Sequence, residues 1–398
     1  MSIKQSPALD YHAMPKPGKL EVHVTKDTST QDDLALAYSP GVAEPVLEIA
    51  KDPNNSYKYT SKGNLVGVIT NGTAILGLGN LGALASKPVM EGKAALFKKF
   101  ADIDVFDIEI DCQDPNEFIK TVANIAPTFG GINLEDIKAP DCFVIENELK
   151  KLIDIPVFHD DQHGTAVSIA AGLINALELQ GKTLASSKIA CIGAGAAALA
   201  SMEFLVQLGA KRNNIFLVDS KGLVTNSRDG VNEYKRAFAQ NIPETSQQAA
   251  IKDADILIGL AGPDIITPTE LKSMKDNPII FILSNPDPEI NYDLAKATRP
   301  DGIVATGRSD LPNQINNVLC FPYIFRGALN MKAKAITFEM QKAAAYAIAS
   351  IAKSKIPEEI VKSYKLPQDF KFGPEYIIPM PLDPRLISKV TAAVEAAV

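Results

Sequence analysis

The stretch VFHDDQHGT, residues 157–165, places two adjacent carboxylates between two of the four histidines of this 398-residue chain. To form a zinc site, His159 and His163 would need to face one ion, as positions i and i+4 of a helix do. The apolar strand IPVF runs directly into His159, however, and the helix that begins GTAV starts only after His163. The two histidines therefore span a strand-to-helix turn, and the sequence favours a hard-cation site that uses Asp161.

Two further carboxylates, Glu135 and Asp136, follow a pair of glycines in the segment GGINLEDIKAPDCF. One interpretation places them at a helix start capped by Asn133, where acidic side chains interact favourably with the helix dipole. In the alternative interpretation they join Asp161 in a metal site. Three carboxylates from two strand ends suit Mg²⁺ or Mn²⁺, which prefer oxygen ligands and keep other positions for water or a chelating acid.

A lysine and a tyrosine could transfer protons. In the segment PVMEGKAALFKKF, helical periodicity gathers the apolar residues on one side and places Lys93 in the middle of that side. Such a lysine either extends its ammonium to water or becomes a usable base, because burial lowers its pKa. Tyr38 directly precedes a Ser-Pro-Gly turn and either presents its phenol from a loop or packs against a core.

Two segments match the glycine pattern of a dinucleotide-binding fold. In KIACIGAGAAALASMEFLVQLG, the glycines Gly193 and Gly195 follow an apolar strand, Ala198 takes the third small position, and a helix follows. A second strand ends at Asp219, about 20 residues beyond the glycines, where an acidic side chain can bind a ribose. The earlier segment ILGLGNLG soon meets Pro88, which favours a tight loop with no helix directly after it.

Later apolar runs at 254–262, 277–286 and 302–308 read as further strands of the same sheet. Ligands of parallel sheets bind at the carboxyl ends of the strands, where Asn285 and Arg308 lie. Ordinary turn chemistry at Asn285 and the following proline is the alternative. Together with the glycine-rich unit, these runs predict an α/β fold.

The composition bounds the class of protein. The chain is long enough for two or three domains, is 46% hydrophobic and carries a net charge of -7. It contains no dense basic tract for nucleic acid, no signal-like segment and no apolar run of the ~20 residues that span a membrane. The four cysteines are far apart and suggest neither zinc knuckles nor disulfides. We therefore expect a cytoplasmic enzyme.

Eight segments of the chain together resemble the malic enzymes, particularly the short bacterial type: AYSPGVAEP, TAILGLGNLG, PVMEGKAALF, INLEDI, FHDDQHGTA, IGAGAAA, ILSNPDPEI and ATGRSDLPNQINNVLCFPYIFRGAL. The resemblance runs from about residue 33 to about 385. It implies an N-terminal α/β substrate domain over 1–159 and a Rossmann-type, doubly wound NAD(P)-binding domain over 160–398. The helices from about 330 onward are expected to pack back on the N-terminal domain.

The resemblance also implies roles for individual residues. Lys93 matches the general base that takes the proton of the C2 hydroxyl of malate, Tyr38 matches the acid that protonates the enolate, and Asp160 matches a carboxylate beside the lysine. The matched metal ligands are Glu135, Asp136 and Asp161. The matched substrate residues are Asn285 and Asn317. The cofactor residues are expected to be Gly193, Gly195, Ala198, Asp219, Ser220, Lys221 and Asn285.

The implied reaction is the oxidative decarboxylation of (S)-malate to pyruvate and CO₂, with NAD or NADP and with Mg²⁺ or Mn²⁺, in a homodimer or higher homo-oligomer. Asp219 favours NAD, whereas Ser220 and Lys221 could bind the 2′-phosphate of NADP. Two alternatives stay open. The same scaffold could act on another hydroxy or keto acid such as oxaloacetate, or the chain could be a catalytically silent, nucleotide-sensing subunit.

Three positions depart from the family pattern. Ala74 replaces an arginine of longer relatives, so the partner of a malate carboxylate must lie elsewhere. Tyr323 replaces a glycine and Asp287 replaces a threonine, which could alter the loops on the substrate side. We also expect no acyltransferase-like C-terminal extension and no regulation through one.

Overall fold

The computed structural model describes residues 6–398, which contain two parallel β-sheets flanked by helices. The first sheet has the strand order β2-β1-β3-β4. Its strands are β1 (Leu65–Thr70), β2 (Asp104–Glu109), β3 (Gly131–Leu134) and β4 (Val157–His159). The central β1 is buried along its whole length because helices cover both faces of a parallel sheet.

The second sheet has the order β10-β9-β8-β5-β6-β7, and all of its pairs except β6 with β7 are parallel. Its strands are β5 (Ile189–Ile192), β6 (Ile215–Asp219), β7 (Gly222–Leu223), β8 (Ile256–Gly259), β9 (Ile279–Ile282) and β10 (Ile303–Thr306). Strands β5, β8, β9 and β10 are short and buried at every position, and they are apolar except for Thr306 at the end of β10. The predicted α/β fold is confirmed, with each predicted strand at its expected place.

Helices connect and cover the strands. Those of the first sheet and the segment before it are α1 (Pro7–Ala13), α2 (Gln31–Ala37), α3 (Ala43–Lys51), α4 (Ser56–Tyr59), α5 (Ala83–Ala101), α6 (Pro115–Ile125) and α7 (Asp141–Leu152). Those that follow are α8 (Thr165–Leu179), α9 (Ala196–Gln207), α10 (Glu233–Arg236), α11 (Gln247–Ile251), α12 (Pro268–Lys272), α13 (Tyr292–Thr298), α14 (Phe321–Asn330), α15 (Phe338–Ala352), α16 (Glu358–Ser363) and α17 (Arg385–Glu395). None of these helices within residues 6–398 has the length and apolar character needed to cross a membrane.

The earlier glycine segment differs from the prediction. Helix α5 begins directly after Gly82 and continues through Pro88, so the expected absence of a helix is wrong. A proline inside a helix removes one backbone hydrogen bond, but the other bonds and the buried side of this 19-residue helix keep it intact. The turn before α5 is tight: a Cβ at Gly72 would lie 2.2 Å from the carbonyl oxygen of Gly82.

The C-terminal helices pack against both halves of the chain. Helix α14 contacts α5 through Phe97, whose ring centroid lies 4.7 Å from that of Phe321 and 5.2 Å from that of Phe325. Helix α17 packs on α14, and α15 packs on α8, which follows the first sheet. A single π-helical turn, Asp160–Gly164, joins β4 to α8. The proposed division of the chain near residue 160 stays a prediction, although this turn lies between the two sheets along the chain.

Candidate active site

Neighbouring strands β3 and β4 end beside each other, and the acidic residues follow directly. Glu135 and Asp136 come after β3, whereas Asp160 and Asp161 come after β4. The structure therefore brings the two acidic segments together at the carboxyl edge of one parallel sheet. This edge is the usual position for ligands in such folds.

Glu135, Asp136 and Asp161 each offer an oxygen atom within 4.8 Å of those of the other two. The amide of Asn133 donates to Glu135 Oε2 at 2.8 Å, and the main-chain N–H of Asp136 donates to Asp161 Oδ2 at 2.8 Å. The alternative of a helix start capped by Asn133 is wrong, because Asn133 lies in β3 and the next helix begins at Asp141.

The electrostatics of this carboxylate cluster fit a divalent cation. Burial, together with the neighbouring carboxylates, raises the pKa of Asp136 from 3.8 to about 8 and that of Glu135 from 4.5 to about 7. The buried Oδ2 of Asp136 accepts no hydrogen bond from any described residue. Asp136 also has a left-handed backbone conformation, with φ 52°. A chain that buries Glu135 and Asp136, keeps Asp161 half-buried beside them and leaves one carboxylate oxygen without a donor has the donor set that Mg²⁺ or Mn²⁺ requires.

Lys93 lies on the buried side of α5 with 7% of its surface exposed, so its ammonium does not extend into water. Its Nζ is 2.6 Å from Asp160 Oδ2 and 2.9 Å from Glu135 Oε1. Burial disfavours the ammonium, but the carboxylates of Asp160, Glu135 and Asp161 outweigh burial and raise the pKa of Lys93. The prediction of a lowered pKa is therefore wrong for the chain alone, since the sequence did not show how many carboxylates face the lysine.

The two histidines of the opening stretch contact Glu146 on α7. The Nε2 atom of His163 lies 2.9 Å from both carboxylate oxygens of Glu146, and the main-chain N–H of His159 donates to Oε1 at 3.1 Å. Burial lowers the pKa of His159 to about 3, so its ring is neutral. His159 Nδ1 lies 3.8 Å from Asp161 Oδ2, which is too long for a hydrogen bond. These contacts argue against a histidine-bound metal.

A cavity of about 510 Å³ opens beside Lys93 and the carboxylate cluster. The predicted substrate residues Asn285 and Asn317 both border it. So do three polar residues that sequence reasoning missed: Thr165, Ser168 and Asn316. Asn316 adjoins a predicted residue, which was a usable signal, whereas the two hydroxyl residues read as ordinary positions of an apolar helix.

The structure does not bring every predicted residue to this cavity. Tyr38 is 78% exposed and is absent from the cavity walls formed by residues 6–398. Of the three departures, Ala74 lies next to the cluster and donates its main-chain N–H to the carbonyl of Asp136 at 2.9 Å. Tyr323 lies on α14 and is buried in the hydrophobic core. Asp287 lies outside the cavity, with its Oδ1 3.9 Å from Nη1 of Arg308. Only the first departure therefore changes the immediate surroundings of the carboxylates.

The glycine-rich unit after β5 borders a second cavity, of about 720 Å³. Gly193 has φ 118°, and a Cβ there would lie 2.5 Å from the carbonyl oxygen of Leu260, so only glycine fits. Gly195 precedes α9, whose N-terminus has no side-chain cap, and Ala198 is fully buried. Free N–H groups at a helix N-terminus bind phosphate well. Leu260 borders both cavities, so the two lie on either side of one residue.

Asp219 ends β6 at the edge of this cofactor cavity, but its carboxylate already has partners. Arg228 Nη2 donates to Oδ2 at 2.5 Å, Lys235 Nζ donates to the same oxygen at 2.9 Å, and the main-chain N–H of Lys221 donates to Oδ1 at 2.9 Å. Burial alone would raise the pKa of Asp219, but these donors outweigh it and hold the pKa at about 2. Ser220 borders the cavity, whereas the Lys221 side chain and Asn285 do not.

Comparison with known families identifies the chain. The profile described as "Malic enzyme, N-terminal domain" matches residues 17–150, and the profile described as "Malic enzyme, NAD binding domain" matches residues 162–363. The chain belongs to the malic enzyme family. The predicted family is thus confirmed, and with it the Rossmann-type NAD(P)-binding domain. At the level of the family, the predicted NAD(P)-dependent, decarboxylating and metal-dependent malate dehydrogenase is confirmed as well.

Individual relatives cover the whole chain. The NADP-dependent malic enzyme of Halomonas elongata is 55% identical, over 99% of this chain and 93% of that protein. The NADP-dependent malic enzyme of Escherichia coli is 56% identical over 99% of this chain but only 52% of its own length, so the chain spans about half of that protein. The crystal structure of malic enzyme from Pyrococcus horikoshii has a TM-score of 0.89 at 46% identity and covers 98% of this chain and 89% of its own.

Proposed function

We propose that the chain converts (S)-malate to pyruvate and CO₂, reducing NADP⁺ or NAD⁺, with Lys93 as the base and with a divalent cation on the carboxylate cluster. One observation carries the assignment of the site. The Lys93 ammonium lies 2.9 Å from Glu135, a member of that cluster, and both residues border the same cavity. A substrate oxygen in this cavity would meet the lysine and the cation at once.

Lys93 is the residue that would take the proton of the C2 hydroxyl. Asp160 is fully buried and holds Nζ at 2.6 Å, which fixes the direction of the lysine. A cation bound by Glu135, Asp136 and Asp161 would withdraw electron density from the substrate oxygens and neutralise part of the charge that stabilises the ammonium. With that charge reduced, Lys93 gives up its proton more readily and can serve as a base.

Asn285 and Asn317 would orient the substrate. Their amides can donate to a carboxylate, which accepts hydrogen bonds only. They are the candidate replacements for the arginine that longer relatives carry where this chain has Ala74. Tyr38 is proposed as the acid that protonates the enolate at C3, a role that its exposed position within one chain does not fulfil.

The cofactor cavity supports NADP⁺ over NAD⁺. A ribose-binding carboxylate disfavours a 2′-phosphate, but Asp219 is neutralised by Arg228 and Lys235. These two cations, with Ser220 at the cavity edge, form a suitable environment for a doubly charged phosphate. The dinucleotide would lie over Gly193 and Gly195 and accept hydride from C2 of the substrate.

Assembly into a homodimer or higher homo-oligomer is part of the proposal, and a cytoplasmic location stays a prediction. Another hydroxy acid is tested by the same NADPH assay as malate, whereas the keto acid oxaloacetate is tested by its decarboxylation to pyruvate. The base and the three carboxylates lie together, which argues against a silent nucleotide-sensing subunit.

The test measures NADPH formation with malate, tartrate and lactate in separate assays, and pyruvate formation from oxaloacetate without cofactor. We expect a malate-dependent signal that EDTA abolishes and that Mg²⁺ or Mn²⁺ restores. Lys93→Ala should lose most of its turnover and still bind the dinucleotide. If malate gives no signal with either cofactor, the proposed function is wrong.

A further inference from the structure

We propose that Gly164 is a positioning residue of the reaction, because its lack of a side chain lets the carboxylate of Asp160 reach Lys93. This inference rests on the proposed function, in which Lys93 is the base and Asp160 fixes its direction. Gly164 is the last residue of the π-helical turn that carries Asp160 and Asp161. It would act through its neighbours rather than on the substrate.

The backbone conformation of Gly164 does not require glycine. Its φ of -63° and ψ of -41° are those of a right-handed helix, and the residue leads directly into α8. Every L-amino acid adopts these angles without strain, and alanine forms helices better than glycine does. On backbone grounds alone, glycine weakens the start of this helix. The reason for a glycine here must therefore be space.

The carboxyl group of Asp160 occupies the space that a side chain at Gly164 would need. A Cβ at Gly164 would lie 1.8 Å from Asp160 Oδ1 and 2.9 Å from its Cγ. It would also lie 3.0 Å from the Cβ of Asn317, a predicted substrate residue. Oδ1 would have to retreat by about 1.5 Å or more to reach an ordinary nonbonded distance. Alanine at position 164 and the observed position of Asp160 therefore exclude each other.

The contact matters because little else orients the carboxylate of Asp160. This side chain is fully buried, and its Oδ1 accepts no hydrogen bond from residues 6–398. Within that range, the polar partner of the carboxylate is Lys93, whose Nζ lies 2.6 Å from Oδ2. The open space at Gly164 admits Oδ1 into the turn and so directs Oδ2 toward the lysine. Both oxygens belong to one carboxyl group, so a displacement of Oδ1 also moves Oδ2.

The backbone of the turn is fixed on its other sides. The Nε2 atom of His163 lies 2.9 Å from both carboxylate oxygens of the buried Glu146. The sulfhydryl of the fully buried Cys320 donates to the carbonyl oxygen of Gly164 at 3.3 Å. These contacts hold the turn between α7 and α14. An added methyl group at Gly164 would therefore displace the side chain of Asp160 rather than the backbone.

Steady-state kinetics of Gly164→Ala with malate, NADP⁺ and Mn²⁺ test the role. We expect kcat to fall at least tenfold, because a misplacement of about 1 Å near a reacting group can cost about 100-fold. The KM for malate should rise less than about threefold, and the affinities for Mn²⁺ and 2′,5′-ADP should stay within about twofold. Gly172→Ala on α8 is the matched control, since its Cβ would meet the terminal methyl group of Ile315 at 2.9 Å. That variant should keep its kcat.

A double-mutant cycle separates positioning from a general structural role. Asp160→Ala removes the carboxyl group that the new Cβ would meet, so adding Gly164→Ala should then change kcat by less than about twofold. Urea unfolding in EDTA should reverse its sign between the two backgrounds. Gly164→Ala should destabilise the wild type, but it should leave the Asp160→Ala protein equally or more stable, because alanine favours the helix. This measurement needs no turnover from the Asp160→Ala protein.

A Gly164→Ala protein that keeps the wild-type kcat would overturn the proposal. So would an equal loss of stability in both backgrounds, or a similar loss of kcat in Gly172→Ala. A marked loss of Mn²⁺ affinity in Gly164→Ala would also overturn it, because the whole turn with Asp161 would then have moved. A wild-type chain that does not turn over malate would instead refute the proposed function, and the unfolding measurements would still test the contact between Gly164 and Asp160.

Discussion

Replacing one of the clustered carboxylates with its amide should stabilise the metal-free protein, because the three acidic groups repel each other. Asp136→Asn is the most informative change. Asp136 is 3% exposed, its Oδ2 accepts no hydrogen bond within the described chain, and its Oδ1 accepts only a long one from Leu76. An asparagine keeps the shape of the side chain and removes the charge. The substitution therefore removes the repulsion between carboxylates and weakens only one long hydrogen bond.

The magnitude follows from the geometry. Two unit charges 4.8 Å apart repel by about 3.5 kcal/mol at an effective dielectric constant of 20. The rise in the pKa of Asp136 from 3.8 to about 8 corresponds to at most about 5.7 kcal/mol. After discounting for coupled protonation of the neighbouring acids, we expect Asp136→Asn to raise the free energy of unfolding by about 2–4 kcal/mol at pH 8.

The stability difference between Asp136→Asn and the wild type should depend on pH. The folded-state pKa of Asp136 lies above its unfolded value, so the folded chain holds a proton that the unfolded chain releases. Stability therefore falls as the pH rises from about 4 to about 8, and the advantage of Asp136→Asn should grow over the same interval. At pH 4 the two proteins should unfold at nearly the same urea concentration. Saturating Mn²⁺ reverses the order, since only the wild type gains binding energy, about 2.7 kcal/mol at 100 times Kd.

Urea unfolding in EDTA and in Mn²⁺, at several pH values, provides the assay. Asp255→Asn is the control, because Asp255 is equally buried but accepts hydrogen bonds from Lys182 and Lys275 at 2.8 and 2.9 Å. That variant should lose about 1–3 kcal/mol at every pH above 5. An Asp136→Asn protein that is less stable than wild type in EDTA would refute the reasoning. The carboxylate of Asp136 would then stabilise the metal-free fold instead of destabilising it through repulsion by its neighbours.

Three further predictions follow from single contacts. Arg228→Ala should weaken 2′,5′-ADP binding by about 10-fold or more, measured by calorimetry, and leave 5′-AMP binding unchanged. Gly193→Ala should abolish dinucleotide binding and lower stability by about 2–4 kcal/mol in urea unfolding, because the new Cβ would meet the Leu260 carbonyl at 2.5 Å. Asp160→Asn removes a carboxylate that stabilises the Lys93 ammonium, so the acidic limb of the pH–rate profile should shift to lower pH while Mn²⁺ affinity stays the same. An unchanged profile would contradict the contact's role.

The sequence predicted those parts of the site that local pattern determines. Apolar runs that end in small or polar residues located the strand ends, and a parallel sheet then requires that Glu135 and Asp161 meet at one edge. The helical periodicity around Lys93 located its buried side. In each case a short segment contains both the element and the residue, so no knowledge of distant contacts was needed.

Residues whose behaviour depends on distant partners were harder to predict. The sequence left NAD and NADP open, with Asp219 favouring the first and Ser220 and Lys221 the second. It did not show that Arg228 and Lys235, 9 and 16 residues after Asp219, pair with its carboxylate. For Lys93 the pattern left two alternatives, an ammonium extended to water or a buried amine with a lowered pKa. It did not show the facing carboxylates of Asp160 and Glu135, which raise the pKa of the buried lysine. Spacing along the chain locates a group, whereas the sign of its electrostatic environment depends on every element packed around it.

Tyr38 shows the same limit at the level of assembly. The resemblance assigns it a proton-transfer role, whereas one chain leaves its phenol 78% exposed, outside the cavity that contains Lys93. The role of Tyr38 therefore stays a prediction, because no local pattern of the sequence determines which surface its phenol faces.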